Sequence, residues 1–419
     1  MDTRHIDTSS SENVPGSTGE SAAVRRGLVM AERRSIILSP TERTGPVCGT
    51  LDFMARPTLR VALIGTGFMG KAHSNAYVQA PHFFDLPFEI ERRVLCARDR
   101  ARLDQLASVW GWEETATDWR AVVERGDIDA VDIAVPNALH APIARVAAAA
   151  GKMILCEKPM AVSLEEAERM AAAARNVPTL VWYNYRRVPA VSFAKRLIDE
   201  GRIGRVFHYR ARYLQQSGND PTRRPGWKTE KAQAGSGARG DLLSHVVDTA
   251  LWLNGPVAEV TALSQTFAPG RDVDDACLAL ARFENGSVGT FEATRYAVGC
   301  RNRNIFEIHG SKGMLAFDLE DLNRLEFFDA TEPRNLQSAR NLLVTGPDHP
   351  YWSNFWKPGH IIGYEHTFIA ALADFLAAAS RGEEYHPDFE DGLAVERVLD
   401  AVERSSTLRG WAAPEILRN

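Results

Sequence analysis

Apolar residues in the first half of the chain form short unbroken runs, each followed by a segment with helical spacing. Four runs fit strands: LRVALI (59–64), RRVLCA (92–97), AVDIAV (130–135) and MILC (153–156). Continuous apolar strands are typical of a parallel sheet that is covered on both faces. Strands that alternate with helices predict a doubly wound parallel sheet with right-handed crossovers.

The pattern changes after about residue 185, where apolar and polar residues alternate. The runs RVFHYRARYL (205–214), ACLALARF (276–283) and SVGTFEATR (287–295) are examples, and turn sequences such as ENGS separate them. A period of two is typical of half-buried strands. A second sheet, mostly antiparallel, is therefore expected.

This change of pattern predicts two domains. We expect an α/β protein with an N-terminal parallel-sheet domain over residues 56–180 and a C-terminal α+β domain over residues 181–419 with a large open, mostly antiparallel sheet. The C-terminal residues return to helical spacing and should pack back toward the first domain. Residues 1–55 show neither period and are expected to be a disordered extension. Met54 directly precedes the first strand, so we expect it to be the natural start, with residues 1–53 an extension of the gene model.

Composition and charge argue against several classes of function. The formal net charge of -5 leaves no positive surplus for a nucleic-acid backbone. No apolar run reaches the roughly 18 residues of a membrane span, and arginines interrupt the N-terminal segment before a signal peptide can form. The five cysteines lack any CxxC pairing, so neither a zinc site nor a disulfide framework is expected. We expect a cytoplasmic protein without a metal, a nucleic-acid partner or a membrane partner.

The segment GTGFMG places Gly65, Gly67 and Gly70 in GxGxxG spacing between a strand and a helix. The first glycine permits a tight turn, the second allows a pyrophosphate to approach the backbone, and the third allows the helix to pack on the strand. Free N–H groups at the start of the helix favour the phosphate. The motif predicts a dinucleotide site, with a purely structural turn as the alternative.

The end of the second strand bears on the choice between NAD and NADP. NAD sites usually place an acid there for the ribose 2′-hydroxyl, but this strand ends in Ala97 followed by Arg98. A guanidinium can pair with a 2′-phosphate, so Arg98 favours NADP. The alternative is that Arg98 stacks on the adenine of NAD.

Two further segments carry candidate chemistry. Lys158 follows the fourth strand, at the sheet edge where ligands bind in open α/β folds, although a solvated strand end is the alternative. Asp241 and His245 stand four residues apart in GDLLSHVVD and so share a helix face, where a carboxylate can orient an imidazole. Taken alone, Asp241 would more often cap its helix, and His245 would more often be a buried, hydrogen-bonded histidine.

Several of these segments together carry a family resemblance. GTGFMGKAH, VPNALH, CEKP, NYRR, GSGARGDLLSHVVD and VGTFEATR resemble the glucose-fructose oxidoreductase / inositol dehydrogenase / MocA (Gfo/Idh/MocA) family, from about residue 60 to 411. FMGKAHS, NYRRVPAV and VTGPDHPY place the chain nearest the branch of levoglucosan dehydrogenases and glycoside 3-dehydrogenases. The resemblance implies an N-terminal Rossmann domain. Ala97 departs from the acid of this branch, and Lys228 stands where the branch commonly has arginine.

The resemblance also implies which residues form the site. It implies that Lys158, Asp241 and His245 are catalytic. Cofactor contacts are implied for Gly65, Gly67, Phe68, Met69, Gly70, Arg98, Pro136, Asn137, His140, Glu157 and Lys158. Substrate contacts are implied for Tyr185, Arg186, Trp227, Lys228 and His245, although Tyr185, Arg186 and Trp227 are equally plausible as packing residues.

These expectations combine into an NAD(P)-dependent dehydrogenase that oxidises a secondary hydroxyl of a sugar, glycoside, anhydrosugar or cyclitol to a ketone. A histidine base suits neutral pH, so His245 is expected to be the general acid/base, oriented by Asp241, with Lys158 stabilising the developing alkoxide. The reverse assignment, with Lys158 as the base, remains open. Alternatives are a myo-inositol-type dehydrogenase, an NAD-dependent glycosidase and a non-catalytic dinucleotide-sensing regulator. The open sheet needs its outer face covered, so a homodimer or homotetramer is expected.

Overall fold

A computed structural model describes residues 56–220, 222 and 226–415, which contain two sheets. The predicted disorder of residues 1–55 and the proposed start at Met54 lie outside the described residues. The elements of the first part are β1 (Thr58–Ile64), α1 (Phe68–Phe83), β2 (Glu89–Cys96), α2 (Arg100–Trp110), β3 (Glu114–Ala116), α3 (Trp119–Val123), β4 (Ala130–Ile133), α4 (His140–Ala149), β5 (Met153–Cys156), α5 (Leu164–Ala173) and β6 (Thr179–Val181).

The first sheet is parallel throughout, in the order β3-β2-β1-β4-β5-β6. The central strands are buried on both faces, and this burial accounts for their largely apolar sequences, in which Arg60 of β1 and Asp132 of β4 are the charged exceptions. The predicted doubly wound parallel sheet is confirmed. The order reverses between β1 and β4, and ligands bind at such a switch point in open α/β sheets.

The second part begins with a helix and is dominated by strands. Its elements are α6 (Pro189–Asp199), β7 (Val206–Leu214), α7 (Lys231–Ala234), α8 (Ser244–Asn254), β8 (Val257–Gln265), β9 (Ala276–Phe283), β10 (Val288–Thr294), β11 (Arg303–Gly310), β12 (Gly313–Asp318), β13 (Arg324–Asp329), β14 (Ala339–Leu343), α9 (Tyr364–Arg381) and α10 (Phe389–Leu408). The sheet has the order β14-β13-β12-β11-β7-β10-β9-β8. Only the β7–β10 pair within it is parallel, so the prediction of a mostly antiparallel sheet is confirmed.

Helix α9 carries apolar side chains against the first sheet. The Phe368 ring lies 5.6 Å from the Trp182 ring and 5.7 Å from the His73 ring. The division into two domains near residue 180 stays a prediction. None of the helices in the described ranges combines the length and the apolar character that crossing a bilayer requires.

Candidate active site

The glycine turn lies between the carboxyl end of β1 and the start of α1. Gly65 has a φ of 125°, and a Cβ there would lie 2.0 Å from the carbonyl oxygen of Ala134. A Cβ on Gly70 would lie 2.2 Å from the carbonyl oxygen of Gly65, so this glycine allows α1 to pack on the strand. A Cβ on Gly67 would meet nothing within 4 Å, which leaves the start of α1 open to a phosphate. The geometry of the turn therefore suits a dinucleotide.

A cavity of about 950 Å³ runs along this edge of the sheet. Predicted residues from four loops and from the second part of the chain line it: Gly65, Gly67, Phe68, Met69, Arg98, Pro136, Asn137, Glu157, Lys158, Trp227, Lys228 and Asp241. Its position at the switch point and its size suit a dinucleotide with a small substrate at one end. Gly70, His140, Tyr185, Arg186 and His245 are not among the lining residues.

The end of β2 forms the far end of the cavity. Ala97 and Arg98 line it there, and Arg98 is exposed. The carboxylate of Asp99, which also lines this end, accepts a hydrogen bond from the backbone N–H of Arg102 at 3.2 Å and so caps α2. The Asp99 carboxylate thus caps α2, while the exposed Arg98 side chain can contact a ligand.

The loop after β4 forms part of the cavity wall, and contacts between its side chains and backbone carbonyl oxygens fix its position. Asn137 Nδ2 donates to the carbonyl oxygen of Ala234 at 2.9 Å, which ties this loop to α7. His140 is fully buried, with its ring nitrogens 3.0 Å from the carbonyl oxygens of Pro159 and Val135. Because the His140 ring does not reach the cavity, the prediction of a direct cofactor contact is corrected to support of the surrounding loops.

Lys158 meets a cluster of charges contributed by the second part of the chain. Its Nζ donates to the carbonyl oxygen of Asp241 at 2.9 Å and lies 3.3 Å from Asp241 Oδ1. Lys228 Nζ donates to the same Oδ1 at 3.0 Å, and Arg295 Nη2 donates to Oδ2 at 3.0 Å. Burial alone would raise the pKa of Asp241, but these three cations, Lys228 foremost, lower it well below its usual range. We call Lys158, Lys228, Asp241 and Arg295 the charge cluster.

Asp241 occupies a π-helical turn, Arg239–Leu243, directly before α8. A π-helical turn changes the direction of side chains relative to an α-helix and is frequent at functional sites. The alternative that Asp241 caps its helix is wrong, because the residue lies inside the turn and its carboxylate accepts from side-chain cations. Gly240 allows this turn to pack against the side chain of Ser236, since a Cβ there would lie 2.5 Å from Ser236 Oγ.

His245 lies behind the charge cluster against an aromatic wall. Its side chain is almost fully buried, and its ring centroid is 4.6 Å from that of Tyr185 and 5.8 Å from that of Tyr213. Burial and the positive charge of Lys158 lower the pKa of His245 well below its usual range, so the ring is neutral at pH 7 and has a lone pair that can accept a proton. Of the described residues, none hydrogen-bonds to this ring, and the Asp241 carboxylate that was expected to orient it is taken up by the three cations.

Comparison with known proteins matches both parts of the chain to domains of one oxidoreductase family. Residues 59–185 match the oxidoreductase family with an NAD-binding Rossmann fold, and residues 191–316 match the Gfo/Idh/MocA C-terminal domain. Levoglucosan dehydrogenase of Pseudarthrobacter phenanthrenivorans is 40% identical over 386 residues, which cover 85% of this chain and 99% of that protein. The chain belongs to the Gfo/Idh/MocA family. The predicted resemblance is confirmed.

Other members of the family agree over similar lengths. Inositol 2-dehydrogenase of Rhizobium meliloti is 27% identical over 83% of this chain and 97% of its own length. The structure of a levoglucosan dehydrogenase in complex with NADH and levoglucosan superposes with a TM-score of 0.84 at 41% identity, covering 86% of this chain and all of that chain. This chain is accordingly an NAD(P)-dependent oxidoreductase that acts on CH–OH groups, with an NAD-binding Rossmann domain.

Arg186 is placed differently from its predicted role. Its guanidinium is buried and donates to both carboxylate oxygens of Asp248, with the shortest contact 2.6 Å, and to Asp391 at 3.2 Å. Because these acids occupy the guanidinium and the side chain is 3% exposed, the prediction of a substrate contact is corrected to a buried ion pair. The neighbouring Tyr185 faces the other way, toward His245, and its hydroxyl lies 3.0 Å from that of Tyr213.

Two candidate functional residues, Arg295 and His73, were not predicted from the sequence. Arg295 ends the run VGTFEATR, which gave a family signal, but nothing local indicates that its partner is Asp241, 54 residues away. His73 lies on the inner face of α1, between the carboxylates of Asp132 and Glu157. A histidine within a helix that opens a dinucleotide site resembles any other buried polar residue in sequence.

Proposed function

We propose that this member of the family oxidises a secondary hydroxyl of a sugar, anhydrosugar or cyclitol, and that the charge cluster together with His245 forms its reacting centre. The observation that carries the proposal is the meeting of Lys158 with Asp241 where the cavity meets the second part of the chain. When bound, the dinucleotide accepts the hydride of the substrate C–H bond. The hydroxyl proton leaves to a protein base, so that the two electrons and the proton are both accounted for.

In this proposal the protein holds the hydroxyl and takes up its proton. Lys158 Nζ donates a hydrogen bond to the substrate oxygen and stabilises its negative charge as the proton leaves. His245 accepts that proton, because its lowered pKa leaves the ring neutral at pH 7. Asp241 positions the Lys158 ammonium instead of the imidazole. The second assignment, in which Lys158 takes the proton, is kept as the alternative.

The surface around the charge cluster supports a polyhydroxylated substrate. Trp227 and Lys228 line the cavity, and Lys228 Nζ lies 5.6 Å from the centre of the Trp227 ring. Indole rings pack against sugar C–H faces, while an ammonium group donates to hydroxyl oxygens. We propose anhydrosugars of the levoglucosan type as first candidates, since the relative named levoglucosan dehydrogenase matches nearly the whole described chain. Cyclitols are second, in view of the inositol 2-dehydrogenase relative.

The test is a panel of anhydrosugars, glycosides, free sugars and inositols, each incubated with NAD⁺ and NADP⁺ while the absorbance of reduced cofactor is recorded. Net reduction supports the dehydrogenase. Product sugar without net reduction would identify a glycosidase, and binding without turnover would identify a regulator. Either of the last two outcomes contradicts the proposal.

Substitutions of His245 and Lys158 test which of the two residues accepts the proton. We expect His245→Ala and Lys158→Met each to reduce turnover by about a hundredfold or more while dinucleotide affinity changes little. His309→Ala on β11 and Lys195→Met on α6 are matched controls that lie outside the cavity. Near-normal turnover of His245→Ala, combined with an inactive Lys158→Met, would transfer the role of base to Lys158.

We further propose that Arg98 favours NADP over NAD. Its guanidinium is exposed at the end of the cavity where the adenosine ribose belongs, and no acid occupies position 97. Arg98→Ala should weaken NADP⁺ binding by about tenfold and leave NAD⁺ binding nearly unchanged, as measured by equilibrium titration. Arg100→Ala, an exposed arginine outside the cavity, is the control. An unchanged ratio of the two dissociation constants would favour the adenine-stacking alternative.

We also propose that the protein is a homo-oligomer and is located in the cytoplasm. The outer face of the second sheet exposes Leu263, Leu278, Leu280 and Val288 by 60%, 45%, 52% and 51%, an apolar strip of the kind that marks an interface. We propose that a second copy covers it, and light scattering should give a multiple of the chain mass that Leu280→Lys reduces and Leu336→Lys does not. A monomeric native protein would contradict this. The cysteines of the described ranges are all free thiols, which suits a reducing compartment.

A further inference from the structure

A buried charge network connects helix α1 to the loop that carries Lys158. His73 is fully buried, with Nδ1 3.1 Å from Asp132 Oδ1 and Nε2 3.1 Å from Glu157 Oε1. Asp132 also accepts hydrogen bonds from the Tyr77 hydroxyl at 2.9 Å and from Trp182 Nε1 at 3.0 Å. Both ring nitrogens of His73 therefore face carboxylate oxygens in a region closed to solvent.

This arrangement favours one protonation state of His73. A neutral imidazole has a single N–H and would turn a lone pair toward one of the two carboxylates, whereas the imidazolium donates to both. Burial lowers the pKa of His73, but Asp132 and Glu157 outweigh that effect and raise it to about 9. His73 is thus a cation at neutral pH.

Glu157 is the member of this network that reaches the cavity. It lines the cavity beside Lys158, and its Oε2 accepts the backbone N–H of Lys158 at 3.1 Å. The network contains two carboxylates and one cation, so a negative charge remains at this end. The Lys158 ammonium is directed to Asp241, with Nζ 3.3 Å from Asp241 Oδ1, and not to Glu157. If the glycine turn held the phosphates and the end of β2 held the adenosine, the residues after β4 and β5, among them Asn137, Glu157 and Lys158, would hold the nicotinamide.

We propose that His73 is a positioning residue that holds the Glu157 carboxylate at the nicotinamide end of the cavity, where this carboxylate favours the positively charged, oxidised dinucleotide over the reduced one. The proposal rests on the proposed function for its choice of ligand. It adds a role for His73 and Glu157 that is separate from proton transfer. The nicotinamide ring is cationic only in its oxidised form, so a fixed carboxylate nearby stabilises that form by Coulomb attraction.

Binding measurements on the native full-length protein and on Glu157→Gln test the carboxylate. We expect the ratio of the NAD⁺ to the NADH dissociation constant to rise about tenfold in Glu157→Gln, as measured by NADH fluorescence and by calorimetry with NAD⁺. Glu396→Gln is the matched control, because Glu396 is a buried carboxyl outside this cavity. An unchanged ratio in a variant that still binds both forms would overturn the proposal. Failure of the sugar panel with normal dinucleotide binding would instead overturn only the proposed function.

His73→Asn tests the positioning role. Without the imidazolium, Glu157 Oε1 loses the ring nitrogen that lies 3.1 Å from it and holds it in place. The ratio of the NAD⁺ to the NADH dissociation constant should therefore rise in His73→Asn, in the same direction as in Glu157→Gln.

A purely structural role for His73 would weaken the binding of both forms equally, and that result would refute the positioning role. If His73→Asn does not fold, nitrogen NMR of the native protein labelled at histidine decides the matter. We expect the His73 ring to have both nitrogens protonated near pH 7, because its pKa is raised to about 9. A neutral His73 ring would overturn the proposal.

Discussion

The stability of the folded chain should depend on pH through His73. Its pKa is about 9 in the fold and about 6.5 in an unfolded chain, so the imidazolium stabilises the native state. Because the folded value is raised, this contribution is fully present below about pH 6.5 and is lost as the pH rises toward about 9. The shift corresponds to about 3 kcal/mol in total, of which about 1.7 kcal/mol is lost between about pH 7 and about pH 8.5.

Urea denaturation of the native protein and of His73→Asn at several pH values measures this loss. Groups that do not contact His73 contribute equally in both proteins, so the difference between their free energies of unfolding reports on His73 and its contacts with Asp132 and Glu157. We expect that difference to shrink by about 1.7 kcal/mol from about pH 7 to about pH 8.5. A constant difference would show that the His73 ring is not charged in the fold, and the reasoning from its two carboxylate neighbours would then fail.

Further substitutions test other parts of the structure. Asp248→Ala leaves the Arg186 guanidinium buried beside a missing partner and should lower the free energy of unfolding by about 3–5 kcal/mol in urea denaturation. Gly70→Ala places a Cβ 2.2 Å from a backbone oxygen and should weaken dinucleotide binding at least tenfold by fluorescence titration, whereas Gly126→Ala, with nothing within 4 Å, should not. Lys228→Met removes the most exposed cation of the charge cluster and should lower kcat/KM for the sugar by about tenfold, with dinucleotide affinity unchanged.

The sequence was most informative where a local pattern has a single structural cause. The largely apolar run of β1 followed by GTGFMG predicted the strand and the turn directly, because burial on both faces and a close backbone approach each restrict residue choice over a few neighbouring positions. The three-residue strands β3 and β6 escaped detection, since three residues carry no period. The alternation in β9 identified the second sheet but not its order, which depends on pairing between distant strands.

Partners of charged side chains were the least predictable feature. Arg186 has the same local sequence whether its guanidinium meets a sugar or Asp248, 62 residues away. Asp241 and His245 have the spacing of a helical pair, but spacing cannot reveal that cations from the loop after β5, from the turn at Trp227 and from the end of β10 meet at Asp241. Such pairings are set by topology, because the sheets bring together residues that no local pattern connects.

Lys158 belongs to both halves of the site, and this position determines how the two halves can be separated by experiment. Its backbone N–H is held by Glu157 on the cofactor side, while its ammonium is held by Asp241 on the other side. A substrate hydroxyl must therefore compete with Asp241 for the ammonium, so a change at Asp241, Lys228 or Arg295 alters the chemistry without touching the glycine turn. A change at His73 or Glu157 acts on the dinucleotide side and reaches the substrate only through Lys158. Turnover therefore reports on the substrate side of Lys158, and dinucleotide affinity reports on the cofactor side.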